Sequence, residues 1–267
     1  MYYGLIILSV IMFGLGFVAN DSYQKREGDN IIAALWFSLI SSVAGTLILF
    51  CTNGFVFECT PFTLVMGIIN AVSSILLTYC GFKAIGRINL SLYSLFMMLG
   101  GMALPFLQGI LFYGEGISVQ KCVCFLFICL SLTVTVKRSE SKGGAIYYVL
   151  IFILNGLAGV LSKIFTESGF EKTSAAGYSL IIALCSAVLS GAMLLFFRGG
   201  HRLSAGGITV AVAGGVVNRV ANFILVIALM HVDASVQYPL VTGGVMITHY
   251  IFVQKLNHKS KYCLQFL

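Results

Sequence analysis

Arg219 stands near the middle of an apolar run spanning 205–230, with Asn218 beside it, Asn222 one turn on and no acidic residue in helical reach. An arginine at the centre of a membrane helix costs roughly 2.5–3.5 kcal/mol on insertion scales. Water, backbone carbonyls or an anionic guest must offset that cost, and a guanidinium grips carboxylate or phosphate with two parallel bonds. The alternative is a structural arginine that caps carbonyls or snorkels. A second polar group lies at 62–82, where Asn70, Ser73, Ser74 and Thr78 recur at i, i+3, i+4 and i+8, bordered by Tyr79. That spacing makes one helical stripe. Gln237 and Tyr238, just before Pro239, form a third, smaller group. Such residues either line a wet cavity or bond helix to helix, at about 0.6 kcal/mol per contact. Secondary candidates are Asn20, Asn155, His249 and Lys163, the last of which has a stem long enough to snorkel to the interface.

The chemistry these residues exclude is as informative. Asp21, Glu58, Glu115, Glu167 and Asp233 all fall near the ends of apolar runs, and none falls inside one. A proton-coupled exporter of cationic drugs needs an embedded carboxylate, so that class is disfavoured. There is no His-Glu-x-x-His, no paired carboxylate and no Cys-x-x-Cys, so no metal, cofactor or enzymatic centre is expected. The eight cysteines sit mostly in apolar runs and read as small apolar residues.

What must position these groups is a membrane bundle. Of 267 residues, 59% are apolar and 9% charged, and the mean hydropathy is +0.99. Soluble domains carry roughly 25% charged residues, so most of this surface must face lipid. The fold class read from the sequence is all-α, a polytopic bundle of nine transmembrane helices. They are placed at 2–19, 30–51, 62–82, 88–113, 118–136, 145–165, 174–197, 205–230 and 234–254, each about the length of a span. Small residues at Gly207, Ala211 and Gly215, and at Ala183, Ala187 and Gly191, have the spacing that brings helices close in lipid. Pro105 and Pro239 are candidate hinges.

The net charge of +7 is topogenic rather than a nucleic-acid footprint. Loops after odd-numbered spans hold Lys25, Arg26, Lys83, Arg87, Lys137, Arg138, Lys142, Arg198, Arg202, Lys255, Lys259 and Lys261. Those after even-numbered spans hold Lys121, Lys163 and Lys172. Twelve against three puts the N-terminus outside and the last segment in the cytoplasm.

The two parts of the chain also repeat. Tyr2-Tyr3 matches Tyr147-Tyr148 at offset 145, Gly45 with Leu49-Phe50 matches Gly191 with Leu195-Phe196 at 146, Ala84 matches Ala228 at 144, and Gly100-Gly101 matches Gly243-Gly244 at 143. The domains are therefore 1–138 and 144–267, two five-helix repeats. Five is odd, so the second copy must run upside down, as in secondary transporters. After Asn257 a tenth helix begins and then stops, so the second copy reads as incomplete, either truncated or ending in a short re-entrant stub. At offset 144, Ser74 pairs with Asn218 and Thr78 with Asn222, which sets both stripes at one depth.

Together, the five-plus-five layout, the small residues of the third and eighth spans and the turn Gly114-Glu115-Gly116-Ile117-Ser118 resemble the drug/metabolite transporter superfamily, in its EamA-like ten-helix branch. That branch closes its fourth helix with a Gly-Glu-x-Leu-Ser turn, matched here with Ile117 for Leu. The second copy, Val253-Gln254-Lys255-Leu256-Asn257, is degraded. Family members have ten helices with both termini inside, and this chain departs on both points. The resemblance implies a multi-pass exporter or importer of amino acids, metabolites or drugs in a bacterial cytoplasmic membrane, working by alternating access, and Arg219 adds the expectation of a small polar solute with an anionic group. A flippase for a lipid-linked substrate and a non-transporting membrane partner remain open. The expected partners are the solute, membrane lipids and a second copy in a homodimer, with no nucleic acid.

Overall fold

The computed structural model describes residues 2–28, 30–85, 90–116, 145–197, 203–245 and 247–248, with 119, 123 and 126; at 78–79, 81–85, 90–95, 98 and 145 it describes the backbone alone. The described residues form eight helices and no strand. They are α1 (Tyr2–Glu27), α2 (Ile31–Thr52), α3 (Pro61–Ile85), α4 (Leu90–Tyr113), α5 (Ala145–Glu167), α6 (Ala175–Phe197), α7 (Ala205–Leu229) and α8 (234–245). The expected span at 118–136 and the start of a tenth helix fall outside the described residues, apart from positions 119, 123 and 126.

Five helices, α1, α2, α5, α6 and α7, are long and apolar enough to cross a membrane. Their outer faces carry large apolar side chains such as Ile7, Leu47, Val188 and Leu195. In water such faces would have to be covered; in lipid they are solvated. The protein is a helical membrane bundle.

Local chemistry sets the helix ends. Asn30 accepts from the Ala33 N–H at 2.7 Å, Ser174 from Gly177 at 3.1 Å and Ser204 from Gly207 at 2.9 Å. Each removes one of the orphan donors at a helix start. Pro61 occupies the first position of α3, where its missing N–H costs nothing. One boundary differs from the sequence reading. The polar stretch from Asn20, read as a break, continues α1 to Glu27. No proline or glycine interrupts it, Asp21 and Lys25 pair one turn apart at 2.6 Å, and the buried Tyr23 hydroxyl donates to the Ala33 carbonyl at 2.9 Å. The break comes at Gly28, whose φ of 87° suits a helix terminator.

Helix directions follow from end-to-end contacts. Glu27 at the end of α1 meets Ser204 before α7, and Tyr2 at its start stacks on His231 after α7, so the two run antiparallel. Phe62 of α3 stacks near Phe165 of α5, while Leu49 of α2 packs on Leu180 and Ala183 of α6. Both of those pairs are antiparallel too. By contrast α4 and α5 run side by side: Phe96 meets Tyr148, and past the end of α4 Glu115 meets Lys163. Their backbones touch, since a Cβ on Gly156 would lie 2.5 Å from the Gly100 carbonyl. Likewise Ile6 and Val10 of α1 pack on Val241 and Val245 of α8. The small-residue row of α7 serves the same end: Ala211 is fully buried, and a Cβ on Gly215 would collide with the backbone of Ser41.

A candidate solute cavity

Because small residues let α7 lie close to α1 and α2, the larger polar side chains that follow on α7 have to pass between those helices. Asn218 lies against Gly16, where any Cβ would overlap its carboxamide. The stem of Arg219 crosses Gly45, where a Cβ would collide with its Cγ and sit 3.3 Å from its Cδ. Both glycines are therefore steric requirements for these side chains.

The groups so placed line a cavity of about 460 Å³, within the range of small-molecule sites. Its polar wall includes Asn70 and Ser74 of α3, Asn155 and Ser162 of α5, and Asn218, Arg219 and Asn222 of α7, with Asn20, Ser41, Tyr238 and Thr242 from three further helices. Its apolar wall includes Phe13, Phe17 and Phe37. Arg219 is the one charged residue among those lining it. Its Nη2 donates to the Ser42 hydroxyl at 2.9 Å, and among the described residues no carboxylate pairs with it. A guanidinium has five N–H donors, so most of its capacity is open to a guest. The Asn155 amide donates to the Met97 carbonyl at 2.6 Å, and the Tyr238 hydroxyl donates to the Gly159 carbonyl at 3.1 Å. These bonds hold the wall in place.

Of the residues picked from sequence, Asn70, Ser74, Asn218, Arg219, Asn222 and Tyr238 meet in this cavity. Two others lie elsewhere. Ser73 turns back to donate to the Ile69 carbonyl at 2.7 Å, and the buried Gln237 donates to the Leu225 carbonyl at 2.9 Å between α7 and α8. Offsets of 3 and 4 share a stripe, but the cavity subtends a narrower arc than the stripe does. The side chains of Thr78 and Tyr79, and His249, lie outside the described residues. Asn20 and Asn155, secondary candidates from sequence, both line the wall.

Lys163 does not snorkel. It is buried, 4% exposed, and its ammonium lies 3.0 Å from both Glu115 and Glu167. Glu115 folds back over Gly109 after α4 and accepts from the Ala234 and Ser235 N–H groups at 2.9 Å each and from the Ser235 hydroxyl. Burial pushes its carboxyl pKa up, but the Ser235 donors and the Lys163 charge outweigh burial and hold it below the ordinary glutamate range. Sequence reasoning placed Glu115 only as part of a turn. Its partners are 48 and about 120 residues away, a separation no local pattern reveals.

No protein-family model matches the chain, and no curated protein matches it. Its fold does recur. A crystal structure of another protein superposes with a TM-score of 0.71 at 16% identity, over 94% of this chain and 86% of that one. At that identity the likeness concerns the fold alone.

Proposed function

We propose that this chain is a secondary transporter that carries a small polar metabolite bearing an anionic group, by alternating access. The observation that carries this reading is the Arg219 guanidinium, set on the polar wall of a cavity between the two parts of the chain with no carboxylate partner among the described residues. A purely structural arginine would spend its donors on carbonyls or an acid; this one faces space that a guest can fill.

Helix pairing supports an inverted repeat. Exchanging α1 with α5, α2 with α6, α3 with α7 and α4 with α8 maps the most extensively packed helix pairs onto one another. The α1–α7 pair becomes α5–α3, α2–α7 becomes α6–α3, and α4–α5 becomes α8–α1. Each exchanged pair runs in opposite directions. Single contacts follow the same rule: a Cβ on Gly101 would lie 2.7 Å from Asn155, and one on Gly244 would lie 2.7 Å from Val10. Those glycines are offset by 143 and their partners by 145. Two antiparallel halves around a midplane site are the architecture that rocks. This layout supports a place in the drug/metabolite transporter superfamily, with a bacterial cytoplasmic membrane as the setting.

The test begins with metabolite profiles inside and outside cells, with and without the protein, to find the solute. Flux of that solute into proteoliposomes is then measured with Arg219→Ala. A loss of at least about tenfold is expected, the worth of a charge-assisted hydrogen bond. Unchanged flux removes the role assigned to Arg219, and no flux of any solute favours a non-transporting partner.

A further inference from the structure

Two buried glutamates outside the cavity join the halves, one at each end of the bundle. At the end where α1 finishes, Glu27 accepts from the Ser204 N–H at 3.2 Å and from the Ser204 hydroxyl, just before α7 begins. It is 8% exposed. At the opposite end, Glu115 accepts from the first N–H groups of α8 and from Lys163 of α5. It is 9% exposed. Both carboxylates belong to the first half, and both acceptances are from the second. Each satisfies donors at a helix start, where the positive end of the helix dipole favours an anion. Between these two links lies the cavity. Asn20 lines it seven residues before Glu27, while Ser162 lines it next to Lys163 and Tyr238 three residues after Ser235.

We propose that Glu27 and Glu115 are alternating clasps, each holding one mouth of the cavity shut, so that release of one opens that mouth while the other stays closed. The proposal rests on the transport reading above. Its physical ground is leverage. If one half pivots on the other about a central cavity, separation at one end brings approach at the other. A carboxylate bound to backbone N–H groups across the seam is an all-or-none contact: it is made at about 3 Å and lost within a small displacement. At a bundle end, water can take over the freed carboxylate and the freed N–H groups, which makes the break reversible. Two such contacts on opposite ends form the kind of discrete two-state element that a rocking cycle needs.

The full chain in lipid nanodiscs tests this by amide hydrogen exchange, with no solute required. Glu115→Gln should raise exchange at 234–238 by about tenfold or more, the effect of losing a charge-assisted bond, and lower it at 205–209. Glu27→Gln should do the reverse. Loss of a mere helix cap raises exchange at its own end and leaves the far end alone. Ser235→Ala and Ser204→Ala, which each remove one donor, should give the same paired pattern at smaller amplitude if either glutamine variant fails to fold. A rise at one end without a fall at the other, a rise at both ends, or no change overturns the proposal. Paired exchange in a chain that carries no solute would keep the clasps and remove the transport reading. Solute flux with unpaired exchange would do the opposite.

Discussion

Lys163→Met removes a cation from a buried cluster and leaves the shape of the side chain nearly intact. Breaking a buried ion pair by deleting one partner costs roughly 3–5 kcal/mol, because the other charge is left uncompensated. Here Glu115 keeps the Ala234 and Ser235 N–H groups at 2.9 Å, so the low end, about 3 kcal/mol, applies. Glu167 is 41% exposed and can turn to water, adding little. Glu115→Gln leaves Lys163 with Glu167 at 3.0 Å and should cost less, about 1–3 kcal/mol. The double variant should cost less than the two singles together by about 0.5–3 kcal/mol. In a chain of this size 1 kcal/mol moves the melting midpoint by about 2–4 °C, so Lys163→Met should melt about 6–12 °C lower. Circular dichroism of the detergent-solubilised chain measures it. A Lys163→Met midpoint within about a degree of the parent, or strict additivity in the double variant, would refute the reasoning that the cluster is a coupled, buried unit.

Acidity should probe the same carboxylate. Its pKa in the fold lies below the unfolded value, so its stabilising contribution is complete above the ordinary glutamate range and is lost as pH falls through the lower folded value. The midpoint difference between the parent and Glu115→Gln should therefore stay constant from neutral pH down to that range and shrink only below it; a difference that decays near pH 6 would contradict the sign. Gly45→Ala should lower the melting midpoint and weaken solute flux, because its obstacle is the root of the Arg219 side chain, whose Cβ would lie 3.0 Å away and whose Cγ would lie closer still; a midpoint and flux equal to the parent would show that the guanidinium does not need that path. Gly100→Ala meets the backbone of Phe152 and should destabilise by about 1–3 kcal/mol, as overpacking does, whereas Gly243→Ala meets open space and should be neutral. Equal melting of the two would sink the close-approach argument for α4 and α5.

Sequence alone determined the solvent and most of the elements. A chain with 9% charged residues and apolar runs of span length has to form helices in lipid, because backbone groups there must bond within their own segment. It also singled out Arg219, since a charge inside an apolar run is conspicuous whatever surrounds it. Helix ends were less legible: polar residues from Asn20 looked like a loop, yet nothing in them breaks a helix before Gly28. Tertiary structure decided which polar residues share a wall. Ser73 and Ser74 are neighbours, and only Ser74 faces the cavity. It also decided that Lys163 is an interior cation and not an interfacial one, and that Glu27 and Glu115 bridge the halves at opposite ends. Periodicity records which face of a helix is polar, whereas the partner across a seam depends on how two distant segments pack. That information resides in glycines such as Gly16 and Gly45, whose meaning emerges only when the side chain that crosses them is in view.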